Sequence, residues 1–172
     1  KLSHSFSQKY FSEKFKSLQL SDHTYQLFEL ASIRDVAQLK NLKGLVGFNI
    51  TVPYKQEIMP YLTSLDDSAK MVGAVNVVKI QNGNWVGYNS DNYGFLHSLQ
   101  NWIDSQTVSA ALILGTGGAS KAVEAALKTL NISFQTVSRN PAKGQIAYEE
   151  GNERLREVAL IVNTTPLGMS PK

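Results

Sequence analysis

The chain has 172 residues, 42% hydrophobic and 18% charged, enough apolar material to bury a core in one large domain or two small ones and too much for a disordered chain. Its net charge of +3 is spread along the sequence, with no basic run that would mark a nucleic-acid or membrane footprint, so a small anionic molecule suffices as partner. No cysteine occurs, the three histidines (His4, His23, His97) are far apart, and no apolar run could cross a bilayer, so neither a disulfide framework, a metal centre nor a membrane span is expected.

In chain order, Ser7 can cap a helix with an apolar stripe of Tyr10, Phe11, Phe15 and Leu18. Residues 24–30 alternate loosely and read as a strand. Ser32 can cap a second helix carrying Ile33, Val36 and Leu39, and residues 45–51 have strand composition. Pro53 suits the first turn of a helix running to about Leu62 despite Pro60. Residues 75–80 and 85–89, joined by Asn82-Gly83, read as a hairpin. A helix from Asp91, with Phe95, Leu96, Leu99 and Trp102 on one side, leads to a polar stretch at residues 101–109 that carries the expected domain boundary.

The second half has a different rhythm. Residues 110–114 form a continuously apolar strand of the kind buried on both faces of a parallel sheet. Glycines follow, then a helix from near Ala119 with a stripe of Ala119, Ala122, Val123, Ala126, Leu127 and Leu130. Residues 132–137 and 159–162 are further strands, separated by a polar stretch. The alternation is that of a doubly wound α/β sheet.

Between the first strand and helix of this half stands Gly115-Thr116-Gly117-Gly118-Ala119-Ser120. Gly115 and Gly117 would let the backbone turn toward a pyrophosphate, Gly118 would leave room beside it, and the helix would aim free N–H groups at the anion. Ser120 stands where a third spaced glycine would complete the dinucleotide fingerprint, so the motif alone is also compatible with an ordinary strand-to-helix turn. The next strand ends in Ser138-Arg139, with Lys143 close behind and no carboxylate where a ribose 2′-hydroxyl would need one. These residues could hydrogen-bond a 2′-phosphate, favouring NADP over NAD; Arg139 could also be a plain loop residue.

The first half carries the candidate chemistry. Asn49 and Thr51, two residues apart, would face the same side of a strand, with Lys55 on the turn after it. Asp91 ends a second polar run, Asn89-Ser90-Asp91. Singly these could be loop polar groups, a solvated lysine and an N-cap; together in a cleft, Lys55 and Asp91 could form a proton-transfer pair beside a hydroxyl being oxidised.

Seven motifs now stand in order: Ser5-Phe-Ser7, Gly47-x-Asn-Ile-Thr-x-Pro-x-Lys55, Gly73-Ala-Val-Asn76, Gly87-x-Asn-Ser-Asp91, Gly115-Thr-Gly-Gly-Ala119, Ser138-Arg139 and Asn163-Thr-Thr-Pro-Leu-Gly-Met169. In order and approximate spacing the chain resembles the shikimate dehydrogenase family over nearly its whole length, and the family's own glycine turn has the Gly-x-Gly-Gly-Ala form. The resemblance implies an N-terminal substrate-binding α/β domain (residues 1–103) and an NADP-binding Rossmann-like domain (104–172) with the cleft between them. It implies Ser5 and Ser7 at the substrate carboxylate, Asn49, Thr51, Asn76 and Asp91 around the ring hydroxyls, and Lys55 with Asp91 as the catalytic pair. Gly115, Thr116, Gly117, Gly118, Ala119, Asn163 and Thr164 would lie at the cofactor, with Ser138, Arg139 and Lys143 at its adenosine phosphate.

The implied activity is reversible, NADPH-dependent reduction of 3-dehydroshikimate to shikimate, in a cytoplasmic monomer or homodimer on the route to chorismate and aromatic amino acids. A quinate/shikimate dehydrogenase and a non-catalytic dinucleotide-binding module are the alternatives; the lack of an acid at Ser138-Arg139 disfavours the first and retention of Lys55 and Asp91 the second. Gln8, Val77 and Ser90 depart from the Pro, Thr and Thr common in the family; Ser90 keeps the hydroxyl and Val77 does not. The family's first strand and C-terminal part have no counterpart in these residues, and a longer natural protein is the expectation.

Overall fold

A computed structural model describes residues 5–103 and 107–168. The middle of the expected boundary, residues 104–106, and Met169 lie outside the described residues. The chain divides into two compact units, Lys1–Leu42 and Lys43–Lys172.

In the first unit, helix α1 (Phe6–Ser17) is capped by Ser5 in extended conformation, so Ser7 lies in its first turn and is not the cap. Phe11 stacks on Tyr25 (ring centroids 5.0 Å apart) and Phe15 meets His23 (5.5 Å), fastening α1 to the returning chain. Gln19 takes a positive φ just past the helix end, with Leu20 N–H donating to Phe15 O and Gln19 N–H to Lys16 O, a Schellman stop built without glycine. Residues 24–30 belong to none of the sheet ladders among the described residues. Loose alternation proposes a strand, but only a paired neighbour makes one. Ser32 caps as expected, in a reciprocal box with Asp35, and the helix Ile33–Asn41 is 3₁₀. Ile33, Val36 and Leu39 recur every third residue, the period at which a 3₁₀ helix stacks its side chains, and Val36 and Leu39 are buried.

The second unit holds two sheets. The first is ordered β1-β3-β4-β2, with β1 (Gly47–Asn49), β2 (Ser64–Leu65), β3 (Val77–Gln81) and β4 (Asn84–Tyr88); only β2 and β4 run parallel. The expected hairpin is present, and Asn82 and Gly83 both take positive φ, as its two-residue turn requires. Strand β1 is shorter than residues 45–51, leaving Thr51 outside it. No α-helix follows Pro53: residues 52–58 form turns after a cis Val52–Pro53 bond, then a 3₁₀ turn Met59–Tyr61. Pro53 and Pro60 have no N–H to donate, and the bonds formed run largely to the third residue back, as in Tyr54 to Thr51 and Met59 to Gln56. A short helix α2 (Asp67–Val72), capped by Asp66, occupies a stretch without clear periodicity. Helix α3 (Ser90–Trp102) is capped by Asn89, not Asp91; Phe95 and Leu99 join the core while Trp102 is 77% exposed and leaves the expected stripe.

The second sheet is wholly parallel and ordered β7-β6-β5-β8, with β5 (Ala110–Leu114), β6 (Ser133–Val137), β7 (Gln145–Ile146) and β8 (Leu160–Asn163). This is a doubly wound order in which the chain leaves β5 to one side and returns on the other. Helix α4 (Gly118–Thr129) lays Val123 and Leu127 on the sheet and Ala122 and Ala125 on Val72 and Ala74. Ala119, expected in that stripe, is exposed, and Ser120 is fully buried. Burial of its hydroxyl is supported by a bond to Glu124 Oε1 (3.2 Å), which also accepts from Thr136 on β6 (3.1 Å). Helix α5 (Tyr148–Glu153) and a 3₁₀ turn fill the polar stretch before β8.

Candidate active site

The centre of the site is a charge pair between segments far apart in sequence. Lys55 Nζ donates to Asp91 Oδ2 at 2.7 Å, with side chains 18% and 37% exposed, so the pair is partly dry yet within reach of solvent and ligand. The other carboxylate oxygen accepts from Asn76 Nδ2 at 2.7 Å. Asn76 also donates to Ser90 Oγ (3.0 Å) and accepts from Ser90 N–H (2.9 Å), so Ser90 supports the group that holds the carboxylate. Asp91 is the second residue of α3, where the positive end of the helix dipole favours negative charge.

Backbone bonds lock these segments together. Val75 N–H donates to Lys55 O (2.7 Å), Ile50 N–H to Asn76 O (2.9 Å) and Asn76 N–H to Tyr88 O (3.0 Å). Asn89, 2% exposed, caps α3 by accepting from Asn92 N–H, and its amide donates to Ala74 O (2.9 Å). Its own N–H donates to Ser68 Oγ, which in turn donates to Asp66 Oδ1. The Ser68 hydroxyl, then the Ser68 N–H, hold the Asp66 carboxyl below its ordinary range. Sequence reasoning quoted Asn89 in a motif without giving it a role, and it did not single out Ser68 or Asp66. The preference of Asn and Asp for helix starts was the available signal.

The glycine turn belongs to the same neighbourhood. The strand register sets Leu114 of β5 beside Val137 of β6 and Asn163 of β8, so Gly115, Ser138 and Thr164 leave the sheet along one edge. That edge, at the switch between β6 and β8, is where such sheets bind ligands. Gly115 has φ +110°, and a Cβ there would lie 2.7 Å from Thr164 Oγ1, so both conformation and space demand glycine. Thr164 is fixed by Oγ1 donating to Leu114 O (2.7 Å). Asn163, exposed, turns back on its own loop: Oδ1 accepts from Thr165 and Nδ2 donates to Leu167 O. Thr116 and Gly117 are exposed, and among the described residues a Cβ on Gly117 would meet nothing within 4 Å, leaving the space over the start of α4 open to an anion. Ser138 accepts from Asn140 N–H, while Arg139 and Lys143 are exposed beside it. This edge fits a dinucleotide phosphate: a helix N-terminus opens onto it beside an unfilled space, and the exposed cations Arg139 and Lys143 follow β6 in the chain.

The structure therefore brings together Lys55, Asn76, Ser90 and Asp91, sets Gly118 against Lys55 (Cβ position 3.3 Å from Lys55 Cδ), and aligns Gly115, Ser138 and Thr164. Asn49, exposed at the end of β1, stands opposite Val77, and Thr51 begins the turn that leads to Lys55. Ser5 and Ser7 belong to the first compact unit and are half-buried at the start of α1. The depression between α1 and residues 19–25, lined by Phe15, Leu20, His23 and Tyr25, contains none of the expected site residues. Among the described residues no cluster of three or more His, Cys, Asp or Glu could hold a metal, and no helix is long and apolar enough to cross a membrane.

A parallel sheet with a glycine turn at its switch point, beside a lysine–carboxylate pair, defines a protein of the dinucleotide-binding fold class. Comparison with known proteins narrows this. Residues 1–78 match the shikimate dehydrogenase substrate binding domain. The shikimate dehydrogenase (NADP(+)) of Staphylococcus epidermidis is 36% identical over 98% of this chain and 66% of its own length. The crystal structure of shikimate dehydrogenase from Aquifex aeolicus superposes with a TM-score of 0.88 at 34% identity, covering 99% of this chain and 68% of that one. Shikimate 5-dehydrogenase from Thermus thermophilus, solved with NADP(H) and shikimate, gives 0.82 at 30% identity, covering 97% and 66%. The chain belongs to the shikimate dehydrogenase family, and it spans 66% of the length of the staphylococcal relative.

Proposed function

We propose that the protein is an NADP-dependent shikimate dehydrogenase, reducing 3-dehydroshikimate to shikimate and running in reverse when shikimate is in excess. The observation that carries the reading is the Lys55–Asp91 pair, 2.7 Å apart and packed against the glycine turn. Bound NADPH supplies the hydride that goes to the substrate's carbonyl carbon. As the carbonyl oxygen gains charge it needs a proton, and the Lys55 ammonium is the donor within the site. Asp91 aims Lys55, and Asn76 and Ser90 keep Asp91 in place. After donating, Lys55 is reprotonated from solvent, to which it stays partly open.

The remaining assignments follow from the motif matches. Ser5 and Ser7 bind the substrate carboxylate, and Asn49, Thr51 and Asn76 its hydroxyls. Gly115, Thr116, Gly117, Gly118, Ala119, Asn163 and Thr164 border the pyrophosphate and ribose, and Ser138, Arg139 and Lys143 the 2′-phosphate. Residues 1–103 form the substrate half and 104–172 the cofactor half of a cytoplasmic enzyme on the route to chorismate, acting as a monomer or homodimer. The test is NADP⁺ reduction by the full-length protein with shikimate, with quinate and NAD⁺ as alternative substrates and Lys55→Ala as control. Turnover of shikimate that Lys55→Ala lowers by about 10²–10⁴-fold, to a measurable residue, is expected. A protein that binds NADP⁺ without turning over shikimate would sink the proposal, and equal or better rates with NAD⁺ would sink the cofactor assignment.

A further inference from the structure

The last glycine of the turn faces the lysine. A Cβ built on Gly118 would lie 3.3 Å from Cδ and 3.6 Å from Cβ of Lys55, and 4.0 Å from Cβ of Ala74. The backbone does not demand glycine here: Gly118 is the first residue of α4 and lacks the positive φ of Gly115, so alanine fits the conformation and favours the helix. What alanine does not fit is Lys55. That side chain is held at both ends, by the Val75 N–H on its carbonyl oxygen and by Asp91 on its ammonium, each at 2.7 Å. A new methyl group would push its methylenes by a few tenths of an ångström, against both of those anchors.

We propose that Gly118 is a positioning residue for Lys55: the missing side chain lets the lysine lie across the first turn of α4 and sets the reach of Nζ to Asp91. The inference rests on the dehydrogenase reading and extends it, because a turn assigned to the cofactor's phosphates then also aims the proton donor.

The experiment compares Gly118→Ala, Lys55→Ala and the double variant in the full-length protein, by steady-state and single-turnover shikimate oxidation, NADP⁺ titration and thermal melting. A shift of a few tenths of an ångström is expected to lower kcat about tenfold, short of the ~10²-fold that a full ångström costs. The melting temperature is expected to stay at or above wild-type level, and any loss of NADP⁺ affinity at this residue beside the pyrophosphate is expected to be smaller than the loss in kcat. In the Lys55→Ala background the same change is expected to cost nothing further, since its target is gone. Wild-type kcat in Gly118→Ala, a loss confined to NADP⁺ affinity, or a loss that recurs in full without Lys55 would overturn the proposal. If the wild type itself does not oxidise shikimate, the dehydrogenase reading fails separately, and a crystal structure of Gly118→Ala decides the positioning claim. Nζ displaced from Asp91 supports it; an unmoved pair refutes it.

Discussion

Replacing Asp91 by asparagine keeps the side chain's shape and removes one acceptor from a group that uses both. Oδ2 accepts from Lys55 and Oδ1 from Asn76, each at 2.7 Å. Whichever way an asparagine amide turns, its NH₂ must face a donor, either the ammonium or the Asn76 amide. At this separation two unit charges attract by ~6 kcal/mol at an effective dielectric of about 20 and by ~1.5 kcal/mol in water. Side chains 18% and 37% exposed lie between these limits. Screening and side-chain ordering leave about 1–2 kcal/mol of folding stability at stake. Lost proton-transfer geometry costs more, about 10²–10⁴-fold in kcat, so the variant should be folded and slow. The assay is kcat and KM for shikimate in the full-length protein, with NADP⁺ affinity measured separately. A kcat within about threefold of wild type, a barrier change under ~0.7 kcal/mol, would refute the reasoning.

Three further outcomes are expected. Arg139→Gln should cut the kcat/KM preference for NADP⁺ over NAD⁺ by about 10–100-fold, the worth of one charge-assisted bond to the 2′-phosphate, with little change in activity on NAD⁺. Glu124→Leu leaves the buried hydroxyls of Ser120 and Thr136 without their common acceptor. It should cost about 2–4 kcal/mol in chemical denaturation, whereas Glu124→Gln, which keeps the acceptor, should cost under ~1 kcal/mol. Asp66 has a folded-state pKa below the ordinary 3.8, so its stabilisation is present above that value and is lost as pH falls through the folded one. The urea midpoint should drop on acidification below about pH 4 and drop less in Asp66→Asn, which keeps an acceptor for the Ser68 N–H.

Sequence was most informative where a residue's own chemistry decides the structure. Asn82-Gly83 announces a hairpin because few other pairs tolerate positive φ twice in succession, and the apolar run at residues 110–114 announces a strand covered on both faces. The same holds for the glycine turn, where Gly115 is required by both its φ and its neighbour Thr164. Legibility failed where a distant partner decides. Residues 24–30 have strand composition without a ladder, and residues 53–62 have a helix start whose bonds run largely to the third residue back. Ser120 reads as a flaw in a dinucleotide fingerprint until Glu124 and Thr136 are seen to receive it. In the site, Lys55 and Asp91 were legible as reactive types. Across 36 residues, spacing alone could only offer them as a pair and the family resemblance joined them, whereas Asn89 read as part of a polar strand end because its partner is a carbonyl at Ala74.

The bonds that join residues 50–55, 74–76 and 88–89 are made by main-chain atoms and by Asn89, while Lys55 and Asp91 contribute their side chains to the space these segments enclose. The course of the main chain around the pair therefore does not depend on what those two side chains are, although their bond adds to stability. Variants silenced at Lys55 or Asp91 should keep the shape of the resting enzyme, which makes them suitable traps: crystals of an inert protein soaked with substrate and cofactor together would capture the ternary complex before reaction.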